Sequence, residues 1–296
     1  MNKPIIALQA LLPACRLLRP SLDDSPLCLA SQAHIQVSLY RLLSVTDLEP
    51  ECGRRAEYVR RCDELAACIV DKILYGKDNL ADRFLLTDTL YFLTTETGTC
   101  YDALRMNRCH DLLIGLMEGN EAFLMAPDAC RIEPALARCL EAYFYPQLDA
   151  DDAWVGMLHV IFTRWCASFS SDKGWAGVPD NLAWQRMETL NRYSYLFLDD
   201  TYDATVRQAY AVYARRVQVA DISTAALYTC YQAMSQGHLL AGGDALAVHE
   251  AAVLRQRLSL YPAGSAEASC CLAVCVEQLC RAILLNYRKE TMRCTA

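Results

Sequence analysis

The chain has 296 residues, 54% hydrophobic and 21% charged, with a net charge of −7 and a pI near 5.3. These proportions exclude a disordered polymer, which cannot bury enough apolar surface to offset chain entropy, and they leave room for a substantial core. They also argue against direct nucleic-acid binding, because phosphate contacts need clustered Lys and Arg and no basic run here exceeds three residues.

With only 12 Gly and 10 Pro, turn residues are scarce, which favours helices over a β-sandwich or a nucleotide-binding α/β fold. Apolar residues recur at helical spacing almost throughout. About twelve helices are expected, near 3–18, 27–45, 50–75, 78–96, 100–118, 133–145, 150–170, 180–197, 201–219, 222–237, 244–260 and 265–289. No segment shows strand alternation joined by hairpin turns. The expected fold class is all-α, as an α-solenoid-like helical repeat or a two-lobed helical bundle.

The first helix raises a question of address. "MNKPIIALQALLPAC" ends in Leu12-Pro13-Ala14-Cys15, close to a lipoprotein cleavage box. Gln9 breaks the apolar stretch, Pro13 sits badly for cleavage, and "RLLRPSL" follows instead of a polar tether. A cytoplasmic protein is the primary expectation, and lipidation at Cys15 the alternative. No apolar run reaches the roughly 18 residues of a membrane span.

Further along, an internal repeat emerges. "DNLA" stands at Asp78–Ala81 and again at Asp180–Ala183, with Thr87 and Thr189, then Tyr91 and Tyr193, at matching distances. "YDA" follows in both, at Tyr101–Ala103 and Tyr202–Ala204, and the offset changes only from 102 to 101. Each copy later ends a helix in Tyr-Pro, at Tyr145-Pro146 and Tyr261-Pro262. The implied organisation is an N-terminal helical segment (1–76) and two repeat units (77–178 and 179–296), packed as one continuous domain.

The 16 cysteines sit in apolar helical runs such as "SCCLAVCVEQLC", and the chain has no CxxC. They read as small buried hydrophobes with reduced thiols, not as a disulfide or metal framework.

The second repeat carries Asp199-Asp200-Thr201-Tyr202-Asp203, a D-D-x-x-D string. Isoprenoid synthases hold magnesium and a diphosphate with such a motif, so Asp199, Asp200 and Asp203 are candidate metal ligands. That chemistry also needs a second acidic motif on a facing helix, and "GGDALAVHE" downstream lacks the required spacing. The repeat offers another reading. In the first copy Thr99 stands opposite Asp200, and Asp102 opposite Asp203. Thr and Asp are interchangeable as N-caps but not as metal ligands. Asp203 also precedes Arg207 by one helical turn. A helix start is therefore the primary expectation.

None of the five histidines forms HExxH, and no phosphate-binding loop or nucleophile elbow is present. His159 reads as a satisfied core or boundary residue. Many of the 16 tyrosines lie on helical faces. Most fit a core, while Tyr91, Tyr101, Tyr193 and Tyr202 are candidate partner-contacting residues, since tyrosine is enriched at interfaces.

Tyr101-Asp102 before a helix, the Arg-Cys-x-Asp-Leu-Leu run (Arg108–Leu113), the Cys- and Tyr-bearing helix (Cys139–Tyr145) and the acidic link (Asp149–Asp152) carry a resemblance. Over about a quarter of the chain, this stretch resembles the UpxZ-type helical regulators of Bacteroides capsule loci. The resemblance implies a helical regulator that binds another protein, and it transfers no catalytic residues. The expected function is a non-catalytic, regulatory protein-interaction module without a cofactor; the alternative is a magnesium-dependent enzyme of isoprenoid-synthase type.

Overall fold

In the computed structural model the described residues are 3–46, 53–78, 80–96, 111, 152–178, 180–197, 200–213, 261 and 265–294. Among them stand eight helices and one small hairpin, so the chain is mostly α-helical. The expected helices at 133–145, 222–237 and 244–260 lie outside the described residues, as does all of 100–118 but Asp111. The chain divides into two compact units. Unit 1 comprises Met1–Asn79, Phe92–Arg105 and Gly242–Ala296, and unit 2 comprises Leu80–Tyr91 and Met106–Ala241.

Unit 1 begins with α1 (Lys3–Leu17). Pro13 removes one of its main-chain hydrogen bonds, yet the helix continues because Leu8, Leu11, Leu12 and Cys15 form one buried stripe at helical spacing. At its end Arg19 Nη1 donates to the carbonyls of Arg16 (2.8 Å) and Leu18 (2.7 Å), satisfying groups the helix leaves open. Helix α2 (Pro26–Val45) starts on Ser25, whose side chain accepts from the Cys28 N–H at 3.2 Å, with Pro26 at the first position.

Helix α3 (Arg55–Tyr75) buries Tyr58, Arg61, Cys62, Leu65, Ala66, Ile69 and Ile73 along one face. The last helix of the chain, α8 (Ala266–Cys294), is capped by Ser265 and is buried on every side from Ala268 to Val276. A helix apolar all round belongs in the middle of a core. Here α8 packs on α1 and α2, and α2 packs on α3. Arg61 of α3 closes the group by donating Nη1 to the Cys15 carbonyl of α1 at 3.2 Å.

Unit 2 is built on aromatic rings. Helix α4 (Leu80–Glu96) gives it Leu80–Tyr91 and continues into unit 1 from Phe92. Helix α5 (Asp152–Ala167) ends three residues before the expected 170. The reason is a hairpin that the sequence reading did not anticipate. Strands β1 (Phe169–Ser170) and β2 (Gly174–Trp175) pair antiparallel, with Phe169 opposite Trp175 and Ser170 opposite Gly174. Gly174 closes the three-residue loop with φ +69°, the left-handed conformation such loops require. Helices α6 (Asp180–Phe197) and α7 (Asp203–Tyr213) pack together, and α7 also meets β2.

Thr87 and Thr189, equivalent in the sequence repeat, are both fully buried inside helices. The Thr87 hydroxyl donates to the Arg83 carbonyl at 2.8 Å, so its polar group is satisfied without leaving the helix.

Candidate functional site

The D-D-x-x-D stretch lies at the start of α7. Asp200 is exposed, and its carbonyl accepts from the Asp203 N–H at 3.0 Å, while the Tyr202 carbonyl accepts from Val206 at 3.1 Å. Thr201 and Tyr202 make a turn, so the regular helix begins at Asp203, two residues later than the expected first turn. The Asp203 carboxylate meets Arg207 Nη2 at 3.5 Å, the anticipated one-turn pair. Around them Asp200, Asp203, Ala204, Arg207 and Gln208 line an open surface depression drawn from one short stretch of chain. Magnesium instead needs oxygens converging from several elements. Among the described residues no three His, Cys, Asp or Glu side chains gather closely enough to hold a metal ion. Asp199 lies outside the described residues.

Tyr193 and Tyr202 are core residues, 4% and 2% exposed. Both pack edge-on against Phe162 of α5, at 5.2 and 5.8 Å, and against each other at 5.5 Å. The Tyr202 hydroxyl hydrogen-bonds His159 Nδ1, so His159 is satisfied as expected, but it is exposed and not a core residue. Offering these two tyrosines to a partner would require unpacking the centre of unit 2, so the contact role suggested from sequence is corrected to a core role. The Tyr91 side chain and all of Tyr101 lie outside the described residues.

The same core continues to the hairpin through Phe162 and Trp165. The Trp165 carbonyl accepts from the Trp175 indole Nε1 at 2.7 Å, and the Tyr213 hydroxyl accepts from the Trp175 main-chain N–H at 2.8 Å. Arg186, 7% exposed, sits over the rings of Trp165 at 5.0 Å and Trp175 at 5.7 Å. A guanidinium is held readily among aromatic faces because it is weakly hydrated and their quadrupoles attract it. This cluster orders the hairpin. Sequence reasoning missed it, although Gly174 between Phe169 and Trp175 is the sort of spacing a three-residue hairpin loop leaves.

In unit 1 the thiols are structural. Cys15 is fully buried, and burial pushes its thiol from 9.0 up to about 12. Cleavage before Cys15 would strip Leu8, Leu11 and Leu12 from that core. The described cysteines Cys15, Cys28, Cys62, Cys68, Cys166, Cys270, Cys271, Cys275 and Cys280 are all free of disulfides. Among the described residues no helix is long and apolar enough to cross a membrane.

A cavity of unit 1 opens where α1 ends and α2 and α8 begin, and it measures about 460 Å³. Its walls include Ala14, Leu18, Ala268 and Leu272, with Asp24 and Arg19 among the charged lining. A polar chain fixes one corner. Asp24 Oδ2 accepts from the Ser21 N–H (3.1 Å) and from Gln32 Nε2 (3.0 Å), and Cys28 Sγ lies 3.3 Å from Ser269 Oγ. Gln32, Cys28 and Ser269 are all buried. An apolar cavity of this size with a few fixed polar atoms can take a small molecule; it offers no nucleophile–base pair.

These features define a mostly α-helical chain of two compact units, one helical with an end cavity and one centred on aromatic rings. No family model, no curated protein and no solved structure matches it.

Proposed function

We propose that this chain is a non-catalytic, regulatory protein-interaction module of the cytoplasm, with its full complement of about twelve helices arranged as a repeat. Its partner is another protein, with no direct contact to nucleic acid. One observation supports this reading most. At one end of unit 1 the α1–α2 connection crosses the last turn of α3, where Lys72 Nζ donates to the Leu22 carbonyl at 2.8 Å. Large apolar side chains stand out to solvent there: Leu17 at 81%, Leu22 at 55% and Tyr75 at 80% exposure. Exposed apolar groups, a tyrosine among them, are candidate contacts for a protein partner.

The magnesium-enzyme reading has weaker support, since Asp200 and Asp203 stand at an open helix start and Asp203 is paired with Arg207. Affinity capture of the full chain from native lysate should recover a stoichiometric protein partner. The doubly substituted Leu22→Asp, Tyr75→Asp chain, with an unchanged circular dichroism spectrum, should lose it. Recovery of the chain alone, or equal recovery by the variant, would defeat this reading. A magnesium-dependent turnover of an allylic diphosphate, abolished by Asp203→Asn, would favour the enzyme instead.

A further inference from the structure

We infer that the end cavity of unit 1 binds a small amphipathic molecule, its apolar tail among α1 and α8 side chains and its hydrogen-bond-donating head on Asp24. The tail follows from the walls. Ala14 and Leu18 face the cavity from α1 and its end, and Ala268 and Leu272 from α8, in a space of about 460 Å³. That is within the roughly 300–1,000 Å³ of small-molecule pockets.

The head follows from the corner. A carboxylate is an acceptor only, with about four lone-pair positions. Asp24 Oδ2 takes the Ser21 N–H and Gln32 Nε2, and among the described residues no hydrogen bond ends on Oδ1. The neighbouring Arg19 keeps its full positive charge, with its Nη1 on the Arg16 and Leu18 carbonyls, and it is not what accepts the head. An alcohol or amine therefore finds an acceptor at Asp24, whereas a carboxylate head has no donor to offer it. Gln32 is held between Asp24 and Cys28 Sγ (3.6 Å), and Cys28 is held against Ser269, so the corner is rigid before any ligand arrives. Leu17 belongs both to this cavity's lining and to the exposed apolar surface, yet small-molecule binding and capture of a protein partner are read out separately.

The test is isothermal titration of the full chain with n-octylamine, n-octanol and octanoate. Octylamine and octanol should bind at one site, with octanoate weaker by about tenfold or more, as losing a charge-assisted hydrogen bond implies. Asp24→Asn should bring octanoate to the level of octanol. Ala14→Trp places an indole at the cavity from an exposed position and should abolish binding with unchanged circular dichroism. Should that variant misfold, nuclear Overhauser contacts from the octyl chain to the Leu18 and Leu272 methyls decide the matter in the unaltered chain. Octanoate binding as tightly as octylamine, absence of those contacts, undiminished binding by folded Ala14→Trp, or no binding heat at all would each overturn the proposal.

Discussion

At the scale of single residues, burial decides the chemistry of the thiols. It raises Cys15 and Cys270 from 9.0 to about 12, and Tyr58 from 10.0 to about 12. A thiol held neutral in the fold is a poor nucleophile. Among the described cysteines, native protein at pH 8 treated with a thiol reagent should therefore be modified at half-buried Cys68 and Cys166 before Cys15, Cys270 and Cys280, which react only after unfolding; peptide mass mapping checks the order. The same shifts set an alkaline limit. The folded state keeps these groups protonated, so the stability they contribute is complete below about pH 9 and is lost as pH rises towards 12. The slope is at most about 1.4 kcal/mol per pH unit for each group. Urea midpoints measured from pH 8 to 11 should fall above pH 9.

Glu57 sets the acid side. Burial pushes its carboxyl upward, but the hydrogen bond and charge of Arg61 outweigh this, and the net shift is downward from 4.5. That contribution is present above about pH 4.5 and is lost as pH falls through the lower folded value. Arg61 is itself buried and bonded to Glu57 Oε1 at 2.6 Å. Glu57→Gln should lower stability by about 1–3 kcal/mol by weakening the partner of a buried guanidinium. A urea titration at pH 7 measures it.

At the scale of elements, the hairpin carries the sharpest test. Gly174 needs a positive φ, and a Cβ there would lie 2.5 Å from the Tyr213 hydroxyl oxygen. Gly174→Ala should therefore destabilise by about 2–4 kcal/mol, from backbone strain and overpacking together. Tyr213→Phe should remove about 1–3 kcal/mol by leaving the buried Trp175 N–H without its acceptor. Urea midpoints, with the slope of the transition unchanged, give both values.

The helices were legible in the sequence because their buried stripes have the helical period: Leu8, Leu11, Leu12 and Cys15 in α1, and Tyr58, Cys62, Leu65 and Ile69 in α3. The start of α7 near the acidic string was legible from its first-turn carboxylates, but the helix begins at Asp203 and not at the expected 201. The hairpin was not. Its two-residue strands are too short to alternate, and the hydroxyl that holds it lies 38 positions away. The burial of Tyr193 and Tyr202 was equally hidden, because a tyrosine stripe reads alike in a core and at an interface. The cavity corner joins Cys28 to Ser269 across 241 positions, beyond the reach of any local pattern.

At the scale of the whole molecule, unit 1 is assembled from opposite ends of the chain. Helices α1, α2 and α3 come from the first 75 residues, and α8 closes the group from Ala266 onward. Because α8 packs on both α1 and α2, and α3 rests on α2, two early helices share one late partner and the third joins the group through α2. Cys275 lies fully buried in the part of α8 that has no solvent-facing side. A charge placed there would be taken from water into the middle of the core, and hydrating it would displace the helix. Cys275→Asp should therefore expose α1, α2 and α3 together instead of loosening α8 alone. Hydrogen exchange should show main-chain protection lost across Leu8–Leu12, Leu29–Leu42 and Leu65–Ile73 in one concerted step. Loss confined to α8 would mean that α1–α3 hold together without it. Concerted loss would make the end cavity, which needs walls from both α1 and α8, dependent on the chain's last helix being in place.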